Sequence, residues 1–195
     1  MLFNSFIFLF FLLFVIPTYY LIPRNGQKKF FLLVMSYIFY GYWDWRFCGL
    51  ILLSTLVDFT IGQLIFKTQK ERRRKLYLAI SVAANLSILG VFKYFNFFVS
   101  SFEKIATVFG TQMDFVHLNI VLPVGISFYT FQTMSYTIDI YRKKLEPTRS
   151  LLDFSLFVSF FPQLVAGPIE RAKNLLPQIK VLKPATREQF QKAFT

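Results

Sequence analysis

LPVGISFYTFQTMSYTIDIYR, residues 122–142, has the length of a bilayer-crossing helix, yet it carries a glutamine, an aspartate, three tyrosines and several hydroxyls. A helix rising 1.5 Å per residue crosses a hydrocarbon core of about 30 Å in roughly 20 residues. On a turn of about 3.6 residues, Tyr129, Gln132, Tyr136 and Asp139 fall three, four and three apart, so they share one stripe headed by Gly125. A glycine in that place lets another backbone or a ligand come close. The other side, with Ile126, Phe131, Met134 and Ile138, suits lipid or packing. A charged side chain at the centre of a membrane helix costs about 2.5–3.5 kcal/mol on insertion scales, so the polar stripe faces away from lipid. Asp139 stands close enough to Arg142 to sit at an interface. Two readings of the stripe are open: hydrogen bonds between helices, or the wall of a polar cavity.

The rest of the chain has the composition of a membrane protein. Of its 195 residues, 55% are hydrophobic, 20% aromatic and only 16% charged, and the mean hydropathy is +0.49. That is too little polar surface for a soluble globular domain. The length rule places five spans at about 2–21, 30–42, 47–66, 76–99 and 120–141, in one membrane domain covering 1–195. The fold class is therefore all-α, a polytopic transmembrane helical bundle. The opening apolar run has no positive leading region and no small-residue cleavage site, and reads as a retained first span rather than a signal peptide.

Charge placement gives an orientation. Thirteen of the 22 lysines and arginines lie in three breaks: three after the first span, six over 67–75 and four over 142–149. Alternating with nearly neutral loops around 44–46 and 103–117, they put the basic loops in the cytoplasm and the amino terminus outside. The same placement explains the net charge of +12 through membrane topology and anionic lipid, with no nucleic acid partner. A further apolar block meets Pro162, Gly167 and Pro168. A full crossing there would carry the basic residues of 169–195 outside, so a broken or re-entrant segment near 151–168 is expected, with the tail 169–195 cytoplasmic. In that tail TREQFQKAF reads as an interfacial helix capped by Thr186.

Cys48 is the only cysteine and His117 the only histidine, which excludes an intrachain disulfide and a Cys/His metal cluster. No metal ligand set, P-loop or dinucleotide fingerprint is present. His117 reads as a surface loop residue. GISFY opens like a hydrolase nucleophile elbow but has Tyr129 in place of the second glycine and no nearby base. Asp58, Gln63, Asn85 and Lys93 read as helix-packing polar groups or snorkelling chains. Ser155, Ser159 and Gln163 recur every four residues and run into PQLVAGPIER. Two neighbouring polar stripes that end at broken backbone favour a substrate tunnel. Tyr129, Gln132, Tyr136, Asp139, Ser159, Gln163 and Arg171 are its candidate lining.

The stretch 122–142, followed by DFSLFVSFFPQLVAGPIERAKNLLPQ and preceded by SYIFYGYWDWRF, STLVDFTIG and NLSILGVFKYFNFF, resembles the membrane-bound O-acyltransferase family, in its alginate O-acetyltransferase-like branch. The resemblance runs from about residue 36 to residue 178 and concerns the amino-terminal portion of such proteins. It implies a tunnel through the membrane, a cytoplasmic acyl thioester donor (acetyl-CoA or an acyl-carrier protein) as substrate, and no bound cofactor. It also implies a polysaccharide acceptor reached from outside, the bacterial inner membrane as location, and periplasmic acetyl-transfer proteins or a cytoplasmic acyl carrier as partners. The family's base is a histidine of the carboxy-terminal half, expected beyond Thr195, so the 195 residues contain no catalytic residue and are expected to be inactive alone. The alternative is a non-enzymatic transport or polysaccharide-export scaffold; phospholipid or sterol acylation, found in other branches, fits these motifs less well.

Overall fold

The structure is a computed structural model that describes residues 5–108, 125–167 and 170–182, and the described residues form helices and short connections, with no strand among them. Ser5 caps α1 (Phe6–Leu21), its hydroxyl accepting from the amide of Phe8 at 3.2 Å. Next come α2 (Asn25–Gly41), α3 (Arg46–Lys67) and α4 (Glu71–Leu89). A single π-type turn, Gly90–Tyr94, carries α4 on into α5 (Phe95–Val108). After the undescribed stretch 109–124 follow α6 (Ile126–Tyr141), α7 (Leu151–Ser159), α8 (Phe161–Ala166) and α9 (Ala172–Lys180).

Two of these rods, α3 and the continuous α4–α5 unit, are long and apolar enough to cross a membrane; α1 and the stretch Leu151–Leu164 are apolar but shorter. α1 buries only Phe11 and Val15 and leaves Phe6, Phe10, Leu13 and Phe14 exposed. A contiguous apolar surface of that kind needs a non-aqueous cover.

The helices do not end where hydropathy ends. α2 starts at Asn25, five residues before the apolar run, and at 17 residues it is about 26 Å long. The basic run 67–75 is mostly helix, because α4 starts at Glu71 and leaves residues 68–70 as the connector. Hydropathy marks which residues lipid tolerates, whereas the helix continues as long as its backbone bonds can close. In the turn before α3, Asp44 holds Arg46 through three side-chain contacts of 2.6–3.1 Å. Those hydrogen bonds hold the Asp44 carboxyl below its ordinary range.

Two layers meet at α6. In the first, α3 and α6 run parallel and in direct contact, with α4 antiparallel and packed against both, a register fixed by Asp58 opposite Ser81 and by Gly62 opposite Tyr136 and Ile140. A Cβ on Gly62 would lie 2.9 Å from the Tyr136 ring, so the glycine sets how closely α3 and α6 approach. In the second, α7 runs parallel to α2, tied by Lys29 to Asp153 at 2.8 Å and by Ser36 to Phe161 at 3.2 Å. Phe11, Phe39 and Phe161 fill the space between α1, α2 and α8, with ring centres 5.2–5.7 Å apart. Tyr136 and Phe154, at 4.5 Å, join the two layers.

Candidate functional site

Helix α7 stops after nine residues, about 14 Å of rise, because Phe160 leaves helical geometry at φ −55° and ψ 106°. Pro162 then opens α8, where its missing amide hydrogen costs nothing. Such a break exposes carbonyls at one helix end and amides at the next. Both are satisfied by side chains from other helices. Gln132 of α6 donates its amide to the Phe157 carbonyl at 2.9 Å. The Phe161 amide donates to Ser36 of α2 at 3.2 Å, and the same hydroxyl donates to the Leu32 carbonyl at 2.8 Å. Ser159 turns back on its own helix and donates to the Ser155 carbonyl at 2.8 Å.

Beneath the break sits Gly125, at φ +76°, where a Cβ would lie 2.9 Å from the Leu164 carbonyl oxygen. The close backbone approach expected at this glycine is therefore made by α8. After Gly167 the chain turns back: α9 packs along α7 and α6, and Ile179 and Leu182 share a cleft with Tyr19 and Leu32 near the end where α7 began. Residues 151–167 thus break as expected of that segment, and 170–182 lie back along α7.

Beside the break lies a cleft of 300 Å³ lined by Phe160, Pro162, Gln163, Gly167, Glu170 and Gln178. Of the predicted lining residues, Gln163 is here, and Gln132 and Ser159 hold the break beside it. Tyr129 is fully buried, with the Tyr40 hydroxyl of α2 as its neighbour. Tyr136, also fully buried, accepts the Thr148 amide at 3.2 Å. Asp139 is half-buried, and its backbone carbonyl takes the Lys144 amide at 2.9 Å as α6 ends. Arg171 is exposed at the N-cap of α9. The structure therefore groups Gln132, Ser159 and Gln163 at the break, leaves Tyr136 and Asp139 nearer the connector 142–150, and sets Arg171 on the surface. On the face expected to meet lipid or packing, Ile126 is buried and Phe131 exposed. His117 and the helix expected after Thr186 lie outside the described residues.

One constellation was not foreseen as a unit. Asp58 of α3, fully buried, accepts from Ser81 at 2.5 Å through one oxygen and from Asn85 at 2.8 Å through the other, both on α4. Asn85 in turn accepts from Thr133, at 3.3 Å, and Ser81 contacts Thr137 at 3.1 Å, both on α6. No cation bonds Asp58 among the described residues, so hydrogen bonds alone support a carboxyl group in the middle of three helices. The signal was present as polar pairs four apart, Ser81 with Asn85 and Thr133 with Thr137, each weak until the helices are set side by side.

The end of α6 is equally fixed. Arg74, read from the sequence as one of a loop's basic residues, is buried and donates to the Tyr141 carbonyl at 2.6 Å. Gln63 donates to the Thr148 carbonyl at 2.7 Å, so the connector is held by Gln63 and Tyr136 together. Lys143, at φ 59°, closes the helix with its amide on the Ile140 carbonyl. No group of three or more metal-ligating side chains occurs among the described residues.

The chain is 43% identical over 179 residues to the probable alginate O-acetylase AlgI of Azotobacter vinelandii, covering 90% of this chain and 35% of that protein. It is 41% identical over 179 residues to the protein of the same name from Pseudomonas aeruginosa, covering 91% of this chain and 34% of that one. A peptidoglycan O-acetyltransferase of Helicobacter pylori is 33% identical over 176 residues, covering 78% of this chain and 32% of its own. The chain belongs to the membrane-bound O-acyltransferase family. It spans about a third of the length of the curated relatives it matches. No family model matches it, and no solved structure does. The motifs that carried the resemblance are the ones that build the break and the three-helix polar core: DFSLFVSFFPQLVAG supplies α7 and α8, STLVDFTIG supplies Asp58 and Gly62, and SYIFYGYWDWRF supplies Ser36.

Proposed function

We propose that this chain is the amino-terminal part of a multi-pass O-acetyltransferase of the bacterial inner membrane, with its amino terminus outside. The whole protein moves an acetyl group from a cytoplasmic thioester, acetyl-CoA or an acyl-carrier protein, to hydroxyls of an exported cell-surface polysaccharide such as alginate. The acceptor oxygen bonds to the thioester carbonyl carbon, the carbon–sulfur bond breaks, and the acceptor's proton leaves through a general base to the departing thiolate. The base is the histidine expected beyond Thr195, so the 195 residues supply scaffold and part of a tunnel wall. Gln163, with Glu170 and Gln178, supplies the polar side chains of the cleft beside the break. Gln132 positions that cleft by holding the end of α7, and Ser36 and Gly125 by holding α8.

The observation that carries this reading is identity of 41–43% over nine-tenths of the chain to proteins named as alginate O-acetylases. Those names do not favour the export-scaffold alternative. The periplasmic acetyl-transfer proteins and the acyl carrier are expected as partners of the whole protein. The test is acetyl transfer to surface polysaccharide in a deletion strain, comparing the 195 residues with the chain extended by the downstream reading frame. Transfer only by the extended form is expected. Transfer by the 195 residues alone would overturn the placement of the base and turn attention to His117, and no transfer by either would overturn the enzyme reading.

A further inference from the structure

The end of α1 and the end of α9 leave a gap. Between them is a cleft of 720 Å³ walled by Tyr19, Tyr20, Leu32, Leu156, Phe160 and Ile179, within the range of small-molecule sites, about 300–1,000 Å³. None of its lining residues is charged, but its two ends differ. At one end Lys28 stands over the Tyr19 ring at 4.7 Å, and the Lys29–Asp153 ion pair lies one turn before Leu32 and Leu156. Lys180 is at the same end, between the lining residues Ile179 and Val181. Asp153 occupies the charge of Lys29, whereas Lys28 and Lys180 have no acidic partner among the described residues. At the other end, Leu156, Phe160 and Leu175 continue the cleft toward the break, with Gln178 as the polar side chain among them.

A soluble anion would use the lysines and leave the apolar length empty; a neutral apolar ligand would use the length and leave the lysines unpaired. We infer that this cleft holds one anionic phospholipid, its phosphate between Lys28 and Lys180 and one acyl chain lying along Leu32 and Leu156 to Phe160. Tyr19 and Tyr20, with ring centres 5.3 Å apart, are then at headgroup level, where tyrosine is enriched. Lipid charge reaches the protein through two lysines, each worth about fivefold in affinity near an anionic leaflet. The inference rests on the membrane placement proposed above, with the α1–α2 turn at the cytoplasmic face.

The test uses the full-length protein, purified in mild detergent and stripped of lipid. Native mass spectrometry and thermal unfolding are run with dioleoyl phosphatidylglycerol, dioleoyl phosphatidylcholine or glycerol phosphate. Phosphatidylglycerol is expected to remain bound as a single adduct and to raise the unfolding midpoint, and the other two are not. Lys28→Gln with Lys180→Gln is expected to cut retention more than tenfold, about fivefold per lysine, while leaving the lipid-free midpoint unchanged. Leu175→Trp, which fills the cleft without touching a lysine, is expected to displace the lipid. Equal retention of phosphatidylcholine, or retention indifferent to both variants, overturns the inference. So does a Leu175→Cys thiol that a maleimide cannot reach in the stripped protein, which would mean that another part of the chain fills the cleft. Acetyl transfer measured on the same preparation separates the two readings: an active enzyme with no preference for phosphatidylglycerol removes the lipid site alone, and an inactive one that retains it removes the enzyme reading alone.

Discussion

Replacing Gly125 with alanine tests whether the contact of α6 with α8 holds the broken helix. Two costs add. At φ +76° a residue with a Cβ is disfavoured by about 1–2 kcal/mol relative to glycine. The new methyl would also lie 2.9 Å from the Leu164 carbonyl oxygen, and because that atom is backbone, α8 itself has to shift. Overpacking of this kind costs about 1–3 kcal/mol. The expected loss is therefore about 2–5 kcal/mol, a large share of the marginal stability of a folded chain. Gly49 is the control: it lies within α3 with nothing inside 4 Å of an added Cβ, so alanine there stabilises by about 0.5–1 kcal/mol. The assay is the fraction of full-length protein left soluble after a heating series in detergent, with acetyl transfer measured in parallel. Gly49→Ala should match or exceed the parent. Gly125→Ala should fall several degrees short and lose transfer, because Gln163 moves with α8. Asparagine tolerates positive φ, so Gly125→Asn isolates the contact with Leu164. Gly125→Ala behaving like Gly49→Ala would refute the contact as a structural element.

Asp58→Leu removes one acceptor each from Ser81 and Asn85, which keep only Thr137 and the Ser81 carbonyl as partners, and each lost bond costs about 0.5–1.5 kcal/mol. Asp58→Asn keeps one carbonyl oxygen and should lose about half as much; equal heat survival of the leucine variant and the parent would mean the network adds no stability. Arg74→Gln gives up the bond to the Tyr141 carbonyl and the stacking on its ring at 5.3 Å, expected to cost about 1–2 kcal/mol. Arg73→Gln, at an exposed neighbour, should stay within about 0.5 kcal/mol, and indistinguishable melting of the two variants would return Arg74 to the class of topological charges. Gln132→Leu strips the Phe157 carbonyl of its donor at the end of α7, for about 1–3 kcal/mol and reduced acetyl transfer. Full transfer and parental melting together would show that the break does not depend on α6.

The helices were legible because apolar residues recur along them; their ends and their partners were not. α2 begins with Asn25, Gly26 and Gln27, residues a hydropathy reading discards, although their backbone bonds are helical. The stripe on α6 followed from spacing alone, but what it binds did not. Gln132 meets a carbonyl 25 residues away, and the break's other cap, Ser36, meets an amide 125 residues away. No local pattern encodes such a pairing. Asp58 was read singly as a packing group, and it becomes a centre only because α3 and α6 run parallel with α4 reversed and packed against both.

That arrangement also accounts for the polar load of the stretch with which the chain was first read. α6 packs against α3, α4, α7 and α9, so little of it can face lipid. Two of those neighbours present groups with bonding capacity left over: α7 presents an open carbonyl at its broken end, and α4 presents the Asn85 side-chain oxygen and the Ser81 hydroxyl. A helix in that place must bring donors and acceptors with it, and Gln132, Thr133, Tyr136 and Thr137 all bond to groups on other elements. On the function proposed above, the part of Gln132 is to keep the break in one shape for a cleft that Gln163 lines. Gln132 variants should then lower stability and transfer together, and a variant that loses one without the other would separate the shape of the break from the use of the cleft.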